Sequence, residues 1–274
     1  MPGVLSDQEI KDNNFLLCRT FAGSDITIQE NSVDESEMIP PSISPVRVEK
    51  LNNLGNGIMQ MFLKLPGEKS FNFFAGQYIE FILNDGSRRA FSMASSPNDE
   101  LIELHIRQID GGSFTNHIFN DMNEKSIHRI EGPLGSFYLR DLDLPIIFVC
   151  GGTGFAPIKS IINDMKRNQD KRKIYLYRGV RTKKDLYQND EMKMWENSEL
   201  DISIKTVYSD ADENGRERKF VHQEVVDDFK ILNNFQVYCC GGPAMVDAAY
   251  QAFTQNLLLK ENFFSDAFTF ASTK

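Results

Sequence analysis

Residues 145–157 read PIIFVCGGTGFAP, and this stretch decides the fold of the second half of the chain. A short apolar strand runs into a turn of three glycines, and Pro157 suits the first turn of a helix that begins near Ala156. Glycines let a backbone approach a ligand closely, and a helix N-terminus offers free N–H groups and partial positive charge. The stretch predicts a site for an anionic group such as a pyrophosphate, with a tight turn that binds nothing as the alternative, since the GxGxxG spacing is absent.

The arrangement recurs at residues 235–245, FQVYCCGGPAM, where a strand ends in glycines and a helix starts at Pro243 or Ala244. Strands alternate with helices throughout this half, which predicts an α/β parallel-sheet nucleotide-binding domain over residues 144–274, with a ligand crevice at its carboxyl edge. Cys240 either presents a polarisable thiol to a flat ring there or is an inert buried thiol. The last helix carries an apolar stripe of residues four apart, predicted to pack in the core: Met245, Ala249, Phe253 and Leu257.

The first half has a different rhythm, with six short apolar runs separated by Gly, Asn, Asp and Pro. Strands at such short spacing predict a small antiparallel β-barrel, which we assign to residues 46–143. In the run LIELHIR, residues 101–107, apolar side chains alternate with Glu103, His105 and Arg107, as in a half-buried strand with one polar face. All four histidines of the chain are interpreted as structural.

A second barrel run, RAFSMAS at residues 89–95, combines three side chains of interest. Alternation places Arg89 and Phe91 on one side of the strand and Ser92 on the other. A guanidinium for a phosphate, an aromatic face and a hydroxyl donor suit a flavin nucleotide. A surface arginine beside a core phenylalanine is the alternative for this string taken alone.

The turn GGSFT, residues 111–115, follows the strand LIELHIR and opens a short predicted helix at 115–119. It offers another set of backbone donors, with Ser113 or Thr115 as the expected N-cap. An ordinary capped turn without a ligand is equally compatible with this string.

Taken in order, these pieces resemble the ferredoxin–NADP reductase superfamily over about residues 43–270. The matching motifs are Arg-x-Phe-Ser-x-x-Ser, Gly-x-x-Thr at Gly112–Thr115, Gly-Gly-Thr-Gly-x-Ala-Pro and Cys-Gly-x-Pro-x-Met. EGPLGSF at 131–137, LYRGVR at 176–181 and the ending FSDAF at 264–268 are similar to bacterial NAD(P)H–flavin reductases and to reductases of CDP-6-deoxy-hexulose dehydration. The resemblance implies an antiparallel β-barrel flavin domain followed by the α/β domain.

The resemblance also implies an activity, hydride transfer from NADH or NADPH to FAD, with electrons passing on to a partner protein. Ser92, donating toward flavin N5, and Cys240, near the hydride-donating carbon, are its expected catalytic residues. No metal ligands are expected. The expected cofactor-binding residues are Arg89, Phe91, Ser92, Arg107, Gly112, Ser113, Phe114, Thr115, Gly151, Gly152, Thr153, Gly154, Ala156, Pro157, Ser209, Asp210, Gly241, Pro243, Met245 and Phe268.

Three positions depart from the superfamily pattern. Phe91 replaces the commoner Tyr, Ala90 stands where Pro is common, and Arg178 stands where the subgroup often has Trp. For the nicotinamide, Asp210 stands where NADP-specific relatives often carry Arg, and a carboxylate there would repel a 2′-phosphate. NADH is therefore slightly favoured, although Arg216, Arg218 and Lys219 follow soon after and could compensate.

The N-terminus resembles the tail of a plant-type ferredoxin domain over residues 1–28, with Cys18 at the fourth cluster-ligand position. A [2Fe–2S] cluster needs four cysteines, and the other three are absent, so we expect a decayed or truncated remnant that cannot hold a cluster alone. Residues 29–45 are acidic and rich in Pro and Ser, which predicts a linker.

Composition excludes several classes of function. A net charge of −9 argues against nucleic acid as a partner, and no apolar run approaches the ~20 residues of a membrane span. The four cysteines and the absence of a signal peptide indicate a cytoplasmic protein with reduced thiols. Three hypotheses remain: a reductase with resident FAD that serves an electron-acceptor protein, a reductase of free flavin, and a non-catalytic binding subunit.

Overall fold

The computed structural model describes residues 39–67, 71–210 and 218–268, besides Lys11 and Gly23. Residues 39–274 fall into one compact unit, to which the description below applies. The predicted ferredoxin remnant at 1–28 and the greater part of the predicted linker lie outside the described residues.

The first domain is an antiparallel sheet, as the sequence predicts. Its six strands follow the order β4-β3-β6-β1-β2-β5, and every adjacent pair is antiparallel. A further bridge joins Met93, directly after β4, to Leu104 of β5, so the two ends of the sheet meet and the barrel closes. The elements are β1 (Ser42–Asn53), β2 (Ile58–Lys64), β3 (Tyr78–Ile82), β4 (Arg88–Ser92), β5 (Ile102–Arg107), α1 (Ser113–Asn120) and β6 (Ile127–Leu134).

Strand β1 begins earlier than the predicted linker allows. It starts at Ser42, four residues before the expected boundary at residue 46, and its first residues pair with β6 alone. Pro45 lies in this one-sided part, opposite Arg129, where its missing N–H leaves no second ladder incomplete. The proline that favoured a linker is therefore compatible with a strand.

The second domain is the predicted parallel sheet, with strand order β11-β10-β7-β8-β9 and every adjacent pair parallel. The last strand, β11, was not predicted, because it is a five-residue edge strand with only partial burial. The elements are β7 (Ile146–Gly151), α2 (Phe155–Arg167), β8 (Ile174–Val180), α3 (Asn189–Glu196), β9 (Ile202–Tyr208), α4 (Val221–Asp228), β10 (Gln236–Gly241), α5 (Pro243–Gln255) and β11 (Phe263–Ala267).

The predicted stripe on the last helix is wrong at its end. Ala249 and Phe253 are fully buried, but α5 stops at Gln255 and Leu257 is 59% exposed. Leu257 has a positive φ of 68°, and this turn of the chain places Leu258 in the core instead. The helix thus ends two residues before Leu257, the last residue of the predicted stripe.

Strand β5 does not have the half-buried character that its alternation predicts. Glu103 and His105, on the face opposite the barrel core, are buried to 7% and 4% exposure. The second domain covers this face, with Lys159 of α2 and the side chain of Tyr187 in contact with it. The polar face of β5 is an interface between the domains, and period-two patterning cannot distinguish such a face from solvent.

Candidate active site

The predicted flavin strand β4 lies at one end of the barrel's strand order, paired with β3. Phe91 packs edge-on against Phe81 at 5.9 Å between ring centroids and also lies 6.1 Å from the ring of Phe114. Arg89 is partly buried, and its Nη1 donates to the carbonyl of Arg88 at 2.8 Å. Phe91 thus borders the barrel core, and Arg89 keeps most of its donors uncommitted.

Ser92 faces the second domain. Its Oγ donates to Oδ2 of Asp266 on β11 at 3.4 Å, and Asp266 is the parallel-register partner of Cys240 on β10. The two predicted catalytic residues therefore share one neighbour. Asp266 itself was missed as a site residue, although it stands in the middle of the FSDAF ending.

Asp266 and Cys240 belong to a row of side chains that crosses the whole parallel sheet. Side chains in register on neighbouring parallel strands share a face, and the row lies one residue before the glycines of β7 and β10. The row consists of Asp266 (β11), Cys240 (β10), Cys150 (β7), Arg178 (β8) and Thr206 (β9).

Burial dominates the electrostatics at this row. It raises the pKa of the Asp266 carboxyl above its usual range, against the opposing effect of the Ser92 hydrogen bond. It also raises the pKa of Cys240 well above that of a free thiol, with the Asp266 charge acting in the same direction. Cys240 is therefore a neutral thiol at physiological pH, suited to packing and unsuited to nucleophilic attack.

Arg178 is buried between two aromatic rings. The residue is 1% exposed, and its guanidinium carbon lies 4.1 Å from the ring centre of Phe155 and 4.7 Å from that of Tyr187. Its Nε and Nη2 atoms have no hydrogen-bond partner among the described residues. The guanidinium lies over both rings, so cation–π contacts accompany its burial.

The glycine turns after β7 and β10 lie close together, as predicted. A Cβ on Gly154 would lie 2.2 Å from the carbonyl oxygen of Cys240, so this glycine lets the start of α2 touch β10. Gly241 has a φ of +153°, and the Met245 side chain fills the space that a Cβ on Gly151 or Gly241 would need. Loops from two strands thus form one compact edge.

The remaining residues predicted in these turns lie at the same edge. Gly152 and Thr153 form a short 3₁₀ turn and are partly exposed, whereas Ala156 and Pro157 are buried in the first turn of α2. Pro243 is exposed at the start of α5.

The helix N-termini differ in a way that suits anion binding. Helices α1, α2 and α5 have no acidic residue in their first turn and no side-chain cap hydrogen bond. By contrast, α3 begins with Asp190 and Glu191, and α4 has Glu224 in its first turn. The first turns of these three helices, which follow glycine-rich turns, carry no acidic residue and no side-chain cap, as the binding of a pyrophosphate favours.

The N-cap prediction for the GGSFT turn is wrong. Helix α1 starts at Ser113, two residues earlier than expected, so Gly112 occupies the N-cap position. The Thr115 hydroxyl turns back instead, donating to the Gly112 carbonyl and accepting from the Ile109 N–H, each at 3.2 Å. Phe114 is buried in the barrel, at 5.3 Å from the ring of Phe81.

Arg107 and Phe268 approach this edge from opposite sides. The Arg107 guanidinium, at the end of β5, lies 3.5 Å from where a Cβ on Gly152 would stand. The backbone N–H of Phe268 donates to the Gly241 carbonyl at 2.8 Å, which holds the end of the described chain against the turn. Ser209 and Asp210 follow β9 at the same edge of the sheet.

Comparison with known proteins identifies the family. Residues 45–138 match the family described as Oxidoreductase FAD-binding domain, and residues 148–251 match the Oxidoreductase NAD-binding domain. The CDP-6-deoxy-L-threo-D-glycero-4-hexulose-3-dehydrase reductase of Yersinia pestis is 36% identical over 266 residues, covering 96% of this chain and 80% of that protein. The chain belongs to the ferredoxin–NADP reductase superfamily.

Other members of the superfamily are similar in sequence and in structure. Terephthalate 1,2-dioxygenase reductase component 1 of Comamonas is 33% identical, covering 94% of this chain and 78% of that protein. The cytochrome P450 reductase GcoB of Amycolatopsis superposes with a TM-score of 0.78 at 28% identity, covering 85% of this chain and 72% of that one. The chain is an NAD(P)H-dependent flavoprotein oxidoreductase with an FAD-binding and an NAD-binding domain.

The described residues lack two features that other functions would require. They contain no group of three or more His, Cys, Asp or Glu side chains placed to hold a metal ion. They also contain no helix of the length and apolar character that crossing a membrane requires.

Proposed function

We propose that the chain binds FAD on the barrel and NADH at the glycine-rich edge of the sheet, and passes electrons to a protein partner. The contact between Ser92 and Asp266 carries this proposal, because it brings the flavin strand to the edge formed by Cys240 and the two glycine turns. Bound FAD would accept the hydride and release electrons singly or as a pair. The protein's part is to hold both rings in contact and exclude water.

Each group in the site has a matching role. Arg89, with donors to spare, would bind the flavin phosphate, Phe91 would pack on the ring system, and the free N-terminus of α1 would bind the pyrophosphate of FAD. The N-termini of α2 and α5 would hold the dinucleotide. The flavin domain would end near residue 143, with the nicotinamide domain following.

The protonation state of Asp266 can decide whether the Ser92 hydroxyl proton is available in the site. An ionised Asp266 holds the one hydroxyl proton of Ser92, as the 3.4 Å contact indicates. A protonated Asp266 would donate to Ser92 Oγ instead, which would leave the Ser92 hydroxyl proton available to a bound flavin. Because burial raises the pKa of Asp266, the protonated form persists to higher pH than in an exposed aspartate.

The uncapped N-terminus of α1 favours resident FAD over free flavin as a substrate, since FMN and riboflavin lack the pyrophosphate. Purified protein that keeps a flavin spectrum through desalting, and oxidises NADH without added flavin, would support this. A colourless protein whose NADH oxidation depends on added flavin would show that flavin is a substrate.

The electron acceptor is proposed from the relatives. The Yersinia relative is named a reductase of a CDP-deoxyhexulose dehydrase, and the Comamonas relative a component of a dioxygenase. A dehydrase acting on a nucleotide-linked deoxyhexulose is therefore the first partner to assay. We also propose a cytoplasmic location, consistent with Cys150, Cys239 and Cys240, which are free and buried.

The proposed preference for NADH rests on Asp210. Its Oδ2 lies 3.6 Å from Nε of Arg181, so it partly neutralises this guanidinium at the end of β9. Lys219, a candidate for compensation, is engaged in ion pairs with Glu224 and Asp227. A 2′-phosphate would therefore meet a carboxylate there, and Lys219 could not offset it.

Replacing Asp210 with arginine is expected to raise the NADPH/NADH ratio of kcat/KM by roughly 10–100-fold, the value of one charge-assisted hydrogen bond. Steady-state kinetics with both nucleotides measures it. Asp190→Arg, the same charge change at an exposed position of α3, is the control and should leave the ratio unchanged. An unchanged ratio in Asp210→Arg would remove Asp210 from the nucleotide site.

A further inference from the structure

A buried polar cluster joins the two domains. We call it the interface cluster and define it by Glu103 and His105 of β5, Lys159 of α2, and Tyr187. Lys159 Nζ donates to both carboxylate oxygens of Glu103, each at 2.8 Å. The side chains of Glu103 and Lys159 are 9% and 7% exposed. This is a desolvated ion pair between domains.

Every polar atom of the His105 ring is also committed. Its Nε2 lies 2.8 Å from Glu103 Oε1, and its Nδ1 lies 3.2 Å from the Tyr187 hydroxyl. A carboxylate can only accept, so Nε2 carries the hydrogen and Nδ1 accepts from Tyr187. Burial lowers the pKa of His105, in keeping with this neutral ring. Gln60 Nε2 adds a hydrogen bond of 2.6 Å to the same carboxylate.

Such a cluster is a poor source of stability. Removing two charges from water costs about as much as their attraction returns, and well-packed apolar side chains in the same space are often as stable. An ion pair whose hydrogen bonds are all satisfied instead restricts the two surfaces that carry it to one relative arrangement. Apolar contacts alone would allow the two domains to shift slightly relative to each other.

The cluster lies on the two elements that lead to the cofactor sites. His105 is two residues before Arg107, whose guanidinium lies beside Gly152 of the nucleotide turn, and β5 continues toward the start of α1. Lys159 lies one turn into α2, the helix that starts after the same turn. The next residue, Ser160, donates from Oγ to the carbonyl of Ser95 at 2.6 Å, close to the flavin strand.

We propose that Glu103, His105 and Lys159 are positioning residues that fix the offset between the flavin and nicotinamide sites. This inference rests on the proposed function for its kinetic consequence, but the fixed domain arrangement is a property of the chain itself. Apolar residues of both domains share one buried cluster, in which Ala75 and Phe137 of the first domain pack with Ile161 and other residues of the second. These contacts hold the domains together, and the interface cluster selects one arrangement among them.

The test removes both charges together. Lys159→Met alone leaves a buried carboxylate unpaired and is expected to lower Tm by about 10 °C. The double variant Glu103→Gln/Lys159→Met removes both charges of the pair and should recover to within about 3 °C of the parent. Glu191, whose Oε2 lies 3.8 Å from Lys159 Nζ, stays charged in both variants and keeps its hydrogen bond from Asn163 Nδ2. In that folded double variant, hydride transfer at saturating NADH should still fall by roughly 10–100-fold, since small misplacement of reacting atoms is that costly.

A distance measurement tests the arrangement without any cofactor. Spin labels at Asp121→Cys in the barrel and Asp190→Cys on α3, both exposed positions, report the spacing between domains in a Cys18→Ser background. The distance distribution should be narrow in the parent chain and broader in the double variant. Lys173→Met/Asp201→Asn, an exposed ion pair within the second domain, is the matched control and should change neither distance nor rate.

The outcomes separate the alternatives. A double variant with parental stability, a parental distance distribution and a parental rate would overturn the proposal. A double variant as destabilised as Lys159→Met, with an unchanged distance distribution, would show a purely stabilising pair and overturn it as well. A distance distribution that is narrow in the parent and broader in the double variant, in a protein that NADH fails to reduce, would uphold the positioning role while refuting the proposed function.

Discussion

Ser92→Ala is expected to slow flavin reduction by NADH by roughly 100-fold, with little change in NADH affinity. The Ser92 hydroxyl is the donor that the barrel presents toward the sheet edge, and losing one preorganised donor at a reacting centre typically costs about 10²–10³ in kcat. Stopped-flow absorbance at saturating NADH measures the step directly. Ser96→Ala is the control: this buried serine contacts Asp164 and Arg167 on α2, and the rate should stay within about threefold.

The pH dependence of the same step tests the partner of Ser92. The rate should fall as pH rises through the pKa of Asp266, because the ionised carboxylate retains the Ser92 proton. Since burial raises that pKa, the fall is expected above the usual range of an aspartate. Asp266→Asn, whose amide donates at every pH, should flatten the profile. Ser92→Ala with a parental rate, or an Asp266→Asn profile like that of the parent, would contradict the assignment.

Gly154→Ala is expected to produce the largest loss of nucleotide binding. The added methyl would lie 2.2 Å from the Cys240 carbonyl oxygen and 2.6 Å from its carbon, both backbone atoms, so α2 must move away from β10. Overpacking of this kind costs about 1–3 kcal/mol, which corresponds to a fall in Tm of roughly 2–10 °C. NADH affinity should fall more than about tenfold, because the displaced turn carries the anion-binding N–H groups.

Gly242→Ala, in the glycine-rich turn after β10, is a matched control for this packing effect. It lies in the second glycine turn with a φ of −64°, and no heavy atom lies within 4 Å of the position of its Cβ. Its Tm should stay within about 2 °C of the parent. If calorimetry gives the same change in Tm for both variants, the close approach of Gly154 to β10 is not what requires a glycine.

The parts of the site that are local in sequence were predictable. PIIFVCGGTGFAP specifies its own strand, turn and helix, since burial, glycine and the helix-starting proline all lie within thirteen residues. The same holds for CCGGPAM, where the helix begins at the predicted Pro243. The type of each sheet was also predictable: strands that alternate with turns indicate an antiparallel sheet, and strands that alternate with helices indicate a parallel one.

The parts that depend on contacts between distant segments were not predictable. Asp266 gains its place from the pairing of β11 with β10 and from contact with a barrel residue 174 positions earlier in the chain. Alternation alone predicts that the polar face of β5, with Glu103 and His105, is exposed, because nothing in the local sequence shows that α2 covers it. Local patterns define elements, whereas the faces that elements present to one another are set by the tertiary fold.

An anaerobic absorbance spectrum of the desalted protein, taken before and after one addition of NADH, tests the central claim most directly. The account predicts a flavin spectrum before the addition and loss of the visible flavin band after it, with no free flavin added. A protein without a flavin spectrum, or one whose flavin band is unchanged by NADH, would contradict it.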